Sequence, residues 1–318
     1  MDQELQDICA LQIRNGEALK KVAAHEMGAM TKMGALFCTA KTVEVNLEKI
    51  QKCREILKRK AKLFSNFRGN MEFAILVKMS LEDDPETYLE RVFSIYDKLK
   101  EGQKFPGEFL AMAAITINER SKGKDTDQVI ADTREAYQKI KRDHKFLTDE
   151  ALMPFIVLMV TSEKELDDAL AESEELFQLL KSRYQLPSDA AQSAAMVLAL
   201  SSQLPSEKAG NFMELYETLK LSKHATSKHR PMSIYAAFSD LSVPRETLAA
   251  EIGEVDAWLK EQKGYGAIAI SGDVRKVIAA ALVLQKYELS SSTEASAVIS
   301  QVIVEEVLMT VLMLLFMI

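Results

Sequence analysis

The sequence contains few of the residues that interrupt regular structure, with 12 glycines and 7 prolines among 318 residues. This scarcity favours helices over a turn-rich β fold. Cysteine is scarce as well: Cys9, Cys38 and Cys53 show neither CxxC spacing nor a nearby histidine. An odd number of isolated cysteines indicates free thiols, and therefore a reducing compartment.

An excess of positive charge is also missing. The 47 acidic and 40 basic residues give a formal net charge of −7, so the chain has no overall attraction for nucleic acid, and a nucleic-acid partner is not expected. The N-terminal segment MDQELQDICALQIRNGEALKK has neither a basic start nor a long apolar stretch, so no secretory signal is recognised. We expect a cytoplasmic protein.

The sequence does contain a repeat of itself. Residues 69–120 and 150–201 align without a gap at a spacing of 81 (181 − 100), and a weaker third copy follows at a spacing of 79 (260 − 181). We therefore predict an all-α fold, in which a helical repeat array of three four-helix units follows an N-terminal helical segment, within one structural domain. The predicted boundaries are 1–66 for the N-terminal segment and 67–145, 146–226 and 227–318 for the three units of the 67–318 array.

Apolar residues at helical spacing, separated by prolines and glycines, predict the individual helices. The N-terminal helices are expected at 2–22, 26–40 and 43–62, and no segment alternates convincingly enough to require a sheet. The helices of the three units are expected at 70–81, 86–101, 107–120 and 126–143, then at 150–161, 163–183, 187–203 and 206–222, and finally at 231–240, 244–262, 271–287 and 293–317.

Several segments resemble a family of bacterial proteins catalogued as domain of unknown function number four thousand and three. The segments are LKK near residue 20, LFCTAKTVEVNLEKI (36–50), FRGNMEFAILVKMSLEDDPE (67–86), YDKLKEGQKFPGEFLAMAA (96–114), HKFLTDE (144–150) and AAQSAAMVLALSS (190–202). The resemblance implies an all-helical cytoplasmic protein and brings no known activity with it.

The four histidines of the sequence are candidates for catalysis or metal binding. His25 begins a segment like HExxH, but Ala29 stands where the second zinc ligand would be. His144 with Asp149 or Glu150 is a candidate acid/base or metal pair, although Thr148 and the acids that follow also fit a helix N-terminus. His224 and His229 flank ATSK and form a candidate zinc pair, which an acid elsewhere would have to complete. We expect no metal and no other cofactor.

Basic residues recur where each unit ends. The candidate binding residues are Lys141, Arg142, Lys145, Lys220, Lys223 and Arg230, which stacked units would align into one positive edge. Cations at helix C-termini also complement the helix dipole by about 0.3–1 kcal/mol each. We prefer this second interpretation over an anion or nucleic-acid surface, because aromatic residues are not interleaved with the basic ones.

The C-terminal segment VLMTVLMLLFMI (307–318) is strongly apolar. Twelve helical residues span about 18 Å, whereas a bilayer core is roughly 30 Å thick. Glu305 and Glu306 interrupt the longer apolar stretch, so a membrane span is not expected. We expect this helix to close the end of the third unit or to pair with the same helix of a second chain.

Together these features predict a non-catalytic α-helical repeat protein that binds a protein or peptide partner in a groove of its array. Two alternatives stay open. One is a metal-dependent enzyme or small-molecule binder, with a site at the repeat junctions that uses His144, Asp149 or Glu150 and His224 or His229. The other is membrane association through the C-terminal helix.

Overall fold

The computed structural model of the chain describes residues 1–22, 28–61, 65–102, 106–121, 123–143, 150–228 and 232–290. Within these ranges the protein is all-helical, with no β-strand, which confirms the predicted fold class. The helices are α1 (Gln3–Lys20), α2 (Gly28–Ala40), α3 (Leu47–Lys60), α4 (Asn70–Leu81), α5 (Pro85–Leu99), α6 (Glu108–Arg120), α7 (Thr126–Asp143), α8 (Met153–Val160), α9 (Leu166–Ser182), α10 (Ser188–Leu198), α11 (Pro205–Leu221), α12 (Ser233–Ala236), α13 (Arg245–Glu261) and α14 (Gly272–Ser290), and a 3₁₀ turn (Glu150–Leu152) precedes α8. No helix in these ranges combines the length and the apolar content needed to cross a bilayer.

The chain divides into two compact units. One contains residues 10–157 and is called the N-terminal unit; the other contains residues 1–9 and those from 158 onward and is called the C-terminal unit. In the N-terminal unit α2, α4 and α6 pack in sequence as one row, and α3, α5 and α7 pack as a second row. The C-terminal unit has corresponding rows, with α9, α11 and α13 in one and α10, α12 and α14 in the other.

Helix α5 shows why the sequence forms these elements. Asp84 is its N-cap residue, and the carboxylate accepts a hydrogen bond from the amide of Thr87 at 3.1 Å. Pro85 occupies the first turn, where its missing amide proton leaves no helical bond unmade. The face turned inward carries Tyr88, Leu89, Val92, Ile95 and Leu99, all of which are buried. Burial of each such side chain contributes about 1.5–3 kcal/mol before the cost of chain ordering is counted.

One helix is much shorter than predicted. The sequence predicts a helix over 231–240, whereas α12 covers four residues, Ser233–Ala236. A side chain binds two of the carbonyls that follow: the Arg245 guanidinium donates to the carbonyl of Phe238 at 2.7 Å and to that of Leu241 at 2.5 Å. The Phe238 carbonyl also accepts from the amide of Leu241 at 3.2 Å. The segment can therefore leave the helical path without burying unpaired carbonyl groups.

The three cysteines, Cys9, Cys38 and Cys53, are buried and unbridged. Burial raises the pKa of the Cys53 thiol to about 11 and that of Cys9 to about 12. Because the thiolate is the reactive form, we expect almost no reaction of the folded protein with Ellman's reagent at about pH 8, and reaction of three thiols after unfolding in guanidinium chloride. Fast reaction of even one thiol before unfolding would contradict this prediction.

Candidate functional site

His224 lies where the chain reverses direction after α11. Lys223 adopts a left-handed backbone conformation with a φ of 69°. The amides of His224 and Ala225 then donate to the carbonyl of Leu219, at 2.8 and 3.1 Å. These bonds close the last turn of the helix and fix the direction in which the next side chain leaves it. The imidazole is directed at α13.

The imidazole belongs to a buried chain of charged groups. His224 Nδ1 lies 2.7 Å from Oδ2 of Asp256, and the Arg275 guanidinium donates through Nε to Oδ1 of the same carboxylate at 2.6 Å. Asp256 and Arg275 are both buried, whereas the side chain of His224 is 27% exposed. Because a carboxylate accepts hydrogen bonds, this arrangement places an imidazole proton on Nδ1 and leaves Nε2 as the nitrogen at the free edge of the ring.

Gly253 makes room for this imidazole on α13. A Cβ atom at this position would lie 3.0 Å from Cδ2 of His224 and 3.4 Å from Nε2. Any larger residue would therefore displace the ring from its hydrogen bond with Asp256. Among the described residues, none hydrogen-bonds to Nε2 of His224.

The free edge of the ring faces an open cavity of about 480 Å³ between α11 and α13. Ala249, Ala250, Gly253 and Ala257 form its floor on α13. The cavity, which we call the α11–α13 groove, is also lined by Thr218, Ser222, His224, Glu246 and Glu254. No lysine or arginine lines it, so its charged groups are the two carboxylates of Glu246 and Glu254. The carboxylate of Glu254 already holds a cation, the α-ammonium group of Met1.

The two hydroxyl groups that line the groove donate to backbone carbonyls of α11. The Thr218 hydroxyl donates to the carbonyl of Glu214 at 2.8 Å, and the Ser222 hydroxyl donates to the carbonyl of Thr218 at 3.1 Å. Neither hydroxyl therefore directs its proton at the imidazole, as a nucleophile activated by His224 would. Within the described ranges, no three His, Cys, Asp or Glu side chains lie close enough to share a metal ion.

Glu150, which the sequence offers as a partner of His144, contacts the start of a helix. The carboxylate of Glu150 accepts a hydrogen bond from the amide of Gly107 at 2.8 Å, and Gly107 is the N-cap residue of α6. Glu150 thus stabilises the start of a helix. The predictions for His25, His144, Lys145, Asp149, His229, Arg230 and the C-terminal helix fall on residues outside the described ranges.

The described members of the proposed basic edge are all exposed: Lys141 and Arg142 end α7, and Lys220 and Lys223 lie near the end of α11. The ammonium group of Lys220 pairs with Glu217 at 2.9 Å, one turn earlier in the same helix. The predicted alignment of these residues into one positive edge stays a prediction.

No motif or spacing in the sequence points to Asp256 or Arg275 as site residues. A signal for Asp256 was nevertheless present, because an acid stands on the apolar face of an amphipathic helix whose other buried positions include Leu248, Ile252, Val255 and Leu259. Acids are rarely buried without a partner. An isolated acid in such a position therefore predicts an ion pair, although it does not say with which residue.

Comparison with curated proteins and with solved structures gives no match. Comparison with known families matches residues 15–317 to the family described as "Protein of unknown function (DUF4003)". The match covers almost the whole chain and confirms the resemblance carried by the sequence segments. The chain belongs to this family.

Proposed function

We propose that this chain is a non-catalytic α-helical repeat protein that binds a protein or peptide partner through the α11–α13 groove. One observation carries the proposal: the groove combines a floor of alanine and glycine with the carboxylate of Glu246, which forms no ion pair among the described residues, and no lysine or arginine lines it. Small floor residues let another chain approach the backbone of α13 closely. The buried free thiols support a reducing, cytoplasmic location.

The proposal includes three related four-helix units. In support, Pro85 begins α5 and Leu166 begins α9, 81 residues later (166 − 85), while α10 and α11 begin 80 (188 − 108) and 79 (205 − 126) residues after α6 and α7. Helix pairing repeats as well, since α5 packs on α6, α9 on α10 and α13 on α14. Arrays of this kind present surfaces formed by successive helices, and the groove lies between two such helices.

The chemistry of the groove specifies the partner segment. Glu246 is exposed and forms no ion pair among the described residues. Nε2 of His224 adds a polar ring nitrogen at the α11 side. A segment that is complementary to these groups carries lysine or arginine beside apolar side chains. We therefore propose a basic amphipathic segment as the occupant.

Two fluorescein-labelled fourteen-residue peptides test this proposal, one built from lysine and leucine and the other from glutamate and leucine. We expect the lysine peptide to bind with micromolar affinity in a fluorescence anisotropy titration, since the groove is smaller than a standard protein interface. The glutamate peptide should bind at least about tenfold more weakly.

The Ala250→Arg variant tests whether the lysine peptide binds in the groove or is attracted by the overall negative charge of the protein. The arginine fills the floor and places a cation beside Glu246, so binding of the lysine peptide should fall at least about tenfold. Ala131→Arg is the matched control, because Ala131 is an exposed helical alanine of α7 and the net charge changes equally. Equal losses in the two variants, or equal binding of both peptides to the unchanged protein, would refute the proposal.

A further inference from the structure

The N-terminal unit contains a second cavity, of about 630 Å³, between the end of α3, the turn at 65–69 and α5. Three aromatic rings form its apolar wall. The ring centroid of Phe67 lies 4.9 Å from that of Phe93 and 5.1 Å from that of Tyr96, and the planes are tilted or edge-on. Phe67 is buried, but Phe93 and Tyr96 remain partly exposed. The cluster thus presents aromatic surface to the cavity instead of closing it.

Asn66 holds the position of this wall. Its side-chain amide donates to the hydroxyl oxygen of Tyr96 at 2.7 Å and to the carbonyl of Pro106 at 2.5 Å. The Tyr96 oxygen is therefore an acceptor in this bond, and its own proton is available as a donor. Among the described residues, no acceptor takes that proton. The cavity therefore has a polar donor next to its aromatic wall.

Lysines predominate among the charged lining residues, which are Lys60, Lys100 and Asp97. Lys100 and Asp97 pair at 2.5 Å, but both side chains are largely exposed, at 45% and 64%. Such a surface ion pair contributes little free energy. A bound anion can therefore replace Asp97 as the partner of Lys100 with little loss of stability. Lys60 is held more firmly, by Glu86 at 2.7 Å and by Glu90.

We propose that this cavity binds a small planar organic anion, an aromatic ring system that carries a carboxylate. The ring lies against Phe67, Phe93 and Tyr96, and the carboxylate accepts from the Lys100 ammonium and the Tyr96 hydroxyl. The volume falls within the range of small-molecule sites, and the lining combines aromatic rings with polar and charged groups that can orient a bound anion. The site is separate from the α11–α13 groove, so its failure would leave the partner-binding proposal unaffected.

The probe is 2-naphthoate, compared with 2-naphthylmethylammonium, which has the same ring system and the opposite charge. We expect naphthoate to bind with a Kd on the order of 0.1 mM by isothermal titration calorimetry, as is reasonable for a ligand of this size. The ammonium compound should bind at least about tenfold more weakly. Equal affinities for the two compounds, or no binding of naphthoate at about 1 mM, would overturn the proposal.

Lys100→Gln removes the ammonium group proposed to bind the carboxylate and should weaken naphthoate binding about five- to tenfold. Lys98→Gln is the matched control, since Lys98 lies on the same helix, is exposed, and pairs with Asp127 away from the cavity. Phe93→Leu should weaken both compounds, because it removes part of the shared aromatic wall. If Lys98→Gln reduces the affinity for naphthoate as much as Lys100→Gln does, binding reflects overall charge and the assigned site is wrong. Both lysines are exposed, so this comparison does not require the Phe93→Leu variant to fold.

Discussion

Replacement of Glu172 by leucine is expected to lower the free energy of unfolding by about 3–5 kcal/mol. The carboxylate of Glu172 contacts the ammonium groups of Lys164 and Lys208. Lys208 is 0% exposed, and its ammonium group also donates to the carbonyl of Ser201 at 3.0 Å. Without Glu172 a buried positive charge would lose its anionic partner, and water does not reach it.

This loss should depend on pH. Burial lowers the pKa of Lys208 to about 8, against the opposing effects of Asp240 and Glu175. The unfolded chain therefore binds more protons than the folded chain from about pH 8 to the ordinary lysine pKa of 10.5, and stability rises with pH in that window. Loss of Glu172 lowers the folded pKa of Lys208 further, so the variant begins to recover stability at a lower pH. Its deficit should be larger at about pH 6 than at about pH 9.

Urea unfolding at the two pH values measures this effect. Glu174→Leu is the control, because Glu174 is exposed on the same helix, and its effect should stay within about 0.5 kcal/mol. Addition of Lys208→Met to the Glu172→Leu variant should restore much of the loss, since no unpaired charge then remains at that position. The interpretation is wrong if Glu172→Leu and Glu174→Leu unfold at the same urea concentration at about pH 6.

Asp256→Ala should have the second large effect, a loss of about 3 kcal/mol of unfolding free energy. Asp256 is the carboxylate that links His224 on one side to Arg275 on the other, and Arg275 is 8% exposed. The alanine variant leaves the guanidinium buried without its anion. Asp256→Asn keeps an acceptor of similar shape but not the charge, and should lose about 1–2 kcal/mol.

Chemical unfolding followed by far-ultraviolet circular dichroism measures both Asp256 variants. Glu261→Ala provides the control on the same helix, because Glu261 is exposed at the end of α13 and should change stability by less than about 0.5 kcal/mol. If Asp256→Asn lowers the free energy of unfolding as much as Asp256→Ala does, charge compensation of Arg275 is the dominant contribution of Asp256. An Asp256→Ala variant as stable as Glu261→Ala would show that the ion pair does not stabilise the fold.

The helices were predictable from sequence where local signals coincide. The sequence predicts a helix over 86–101, and α5 begins one residue earlier, at Pro85, with Asp84 as its cap. Local signals were not sufficient where a side chain of the following helix binds backbone carbonyl groups. The segment predicted as 231–240 contains only the short helix Ser233–Ala236, and no periodicity in the segment encodes the bonds that Arg245 donates to the carbonyls of Phe238 and Leu241.

The candidate site was predictable only in part. His224 was selected as one member of a histidine pair, but its partner in the fold is Asp256, 32 residues further along the chain. A similar limit applies to Phe93 and Tyr96, which the helical spacing places on the apolar face of α5. Periodicity identifies the face of a helix but not whether a neighbouring segment covers it. These two rings are partly exposed because they border a cavity.

The row arrangement has a consequence for how each unit folds. Within a unit, the helices that pack most extensively lie no more than two positions apart in the chain, as α3, α4 and α5 illustrate. Contacts of this kind have a low contact order, so little loop-closure entropy is lost before they form. In the N-terminal unit each helix can therefore add to a neighbour that is already in place, and the search for distant partners that slows β-rich proteins is largely avoided. The same locality means that a segment at the end of a row can open while the rest of its unit stays folded.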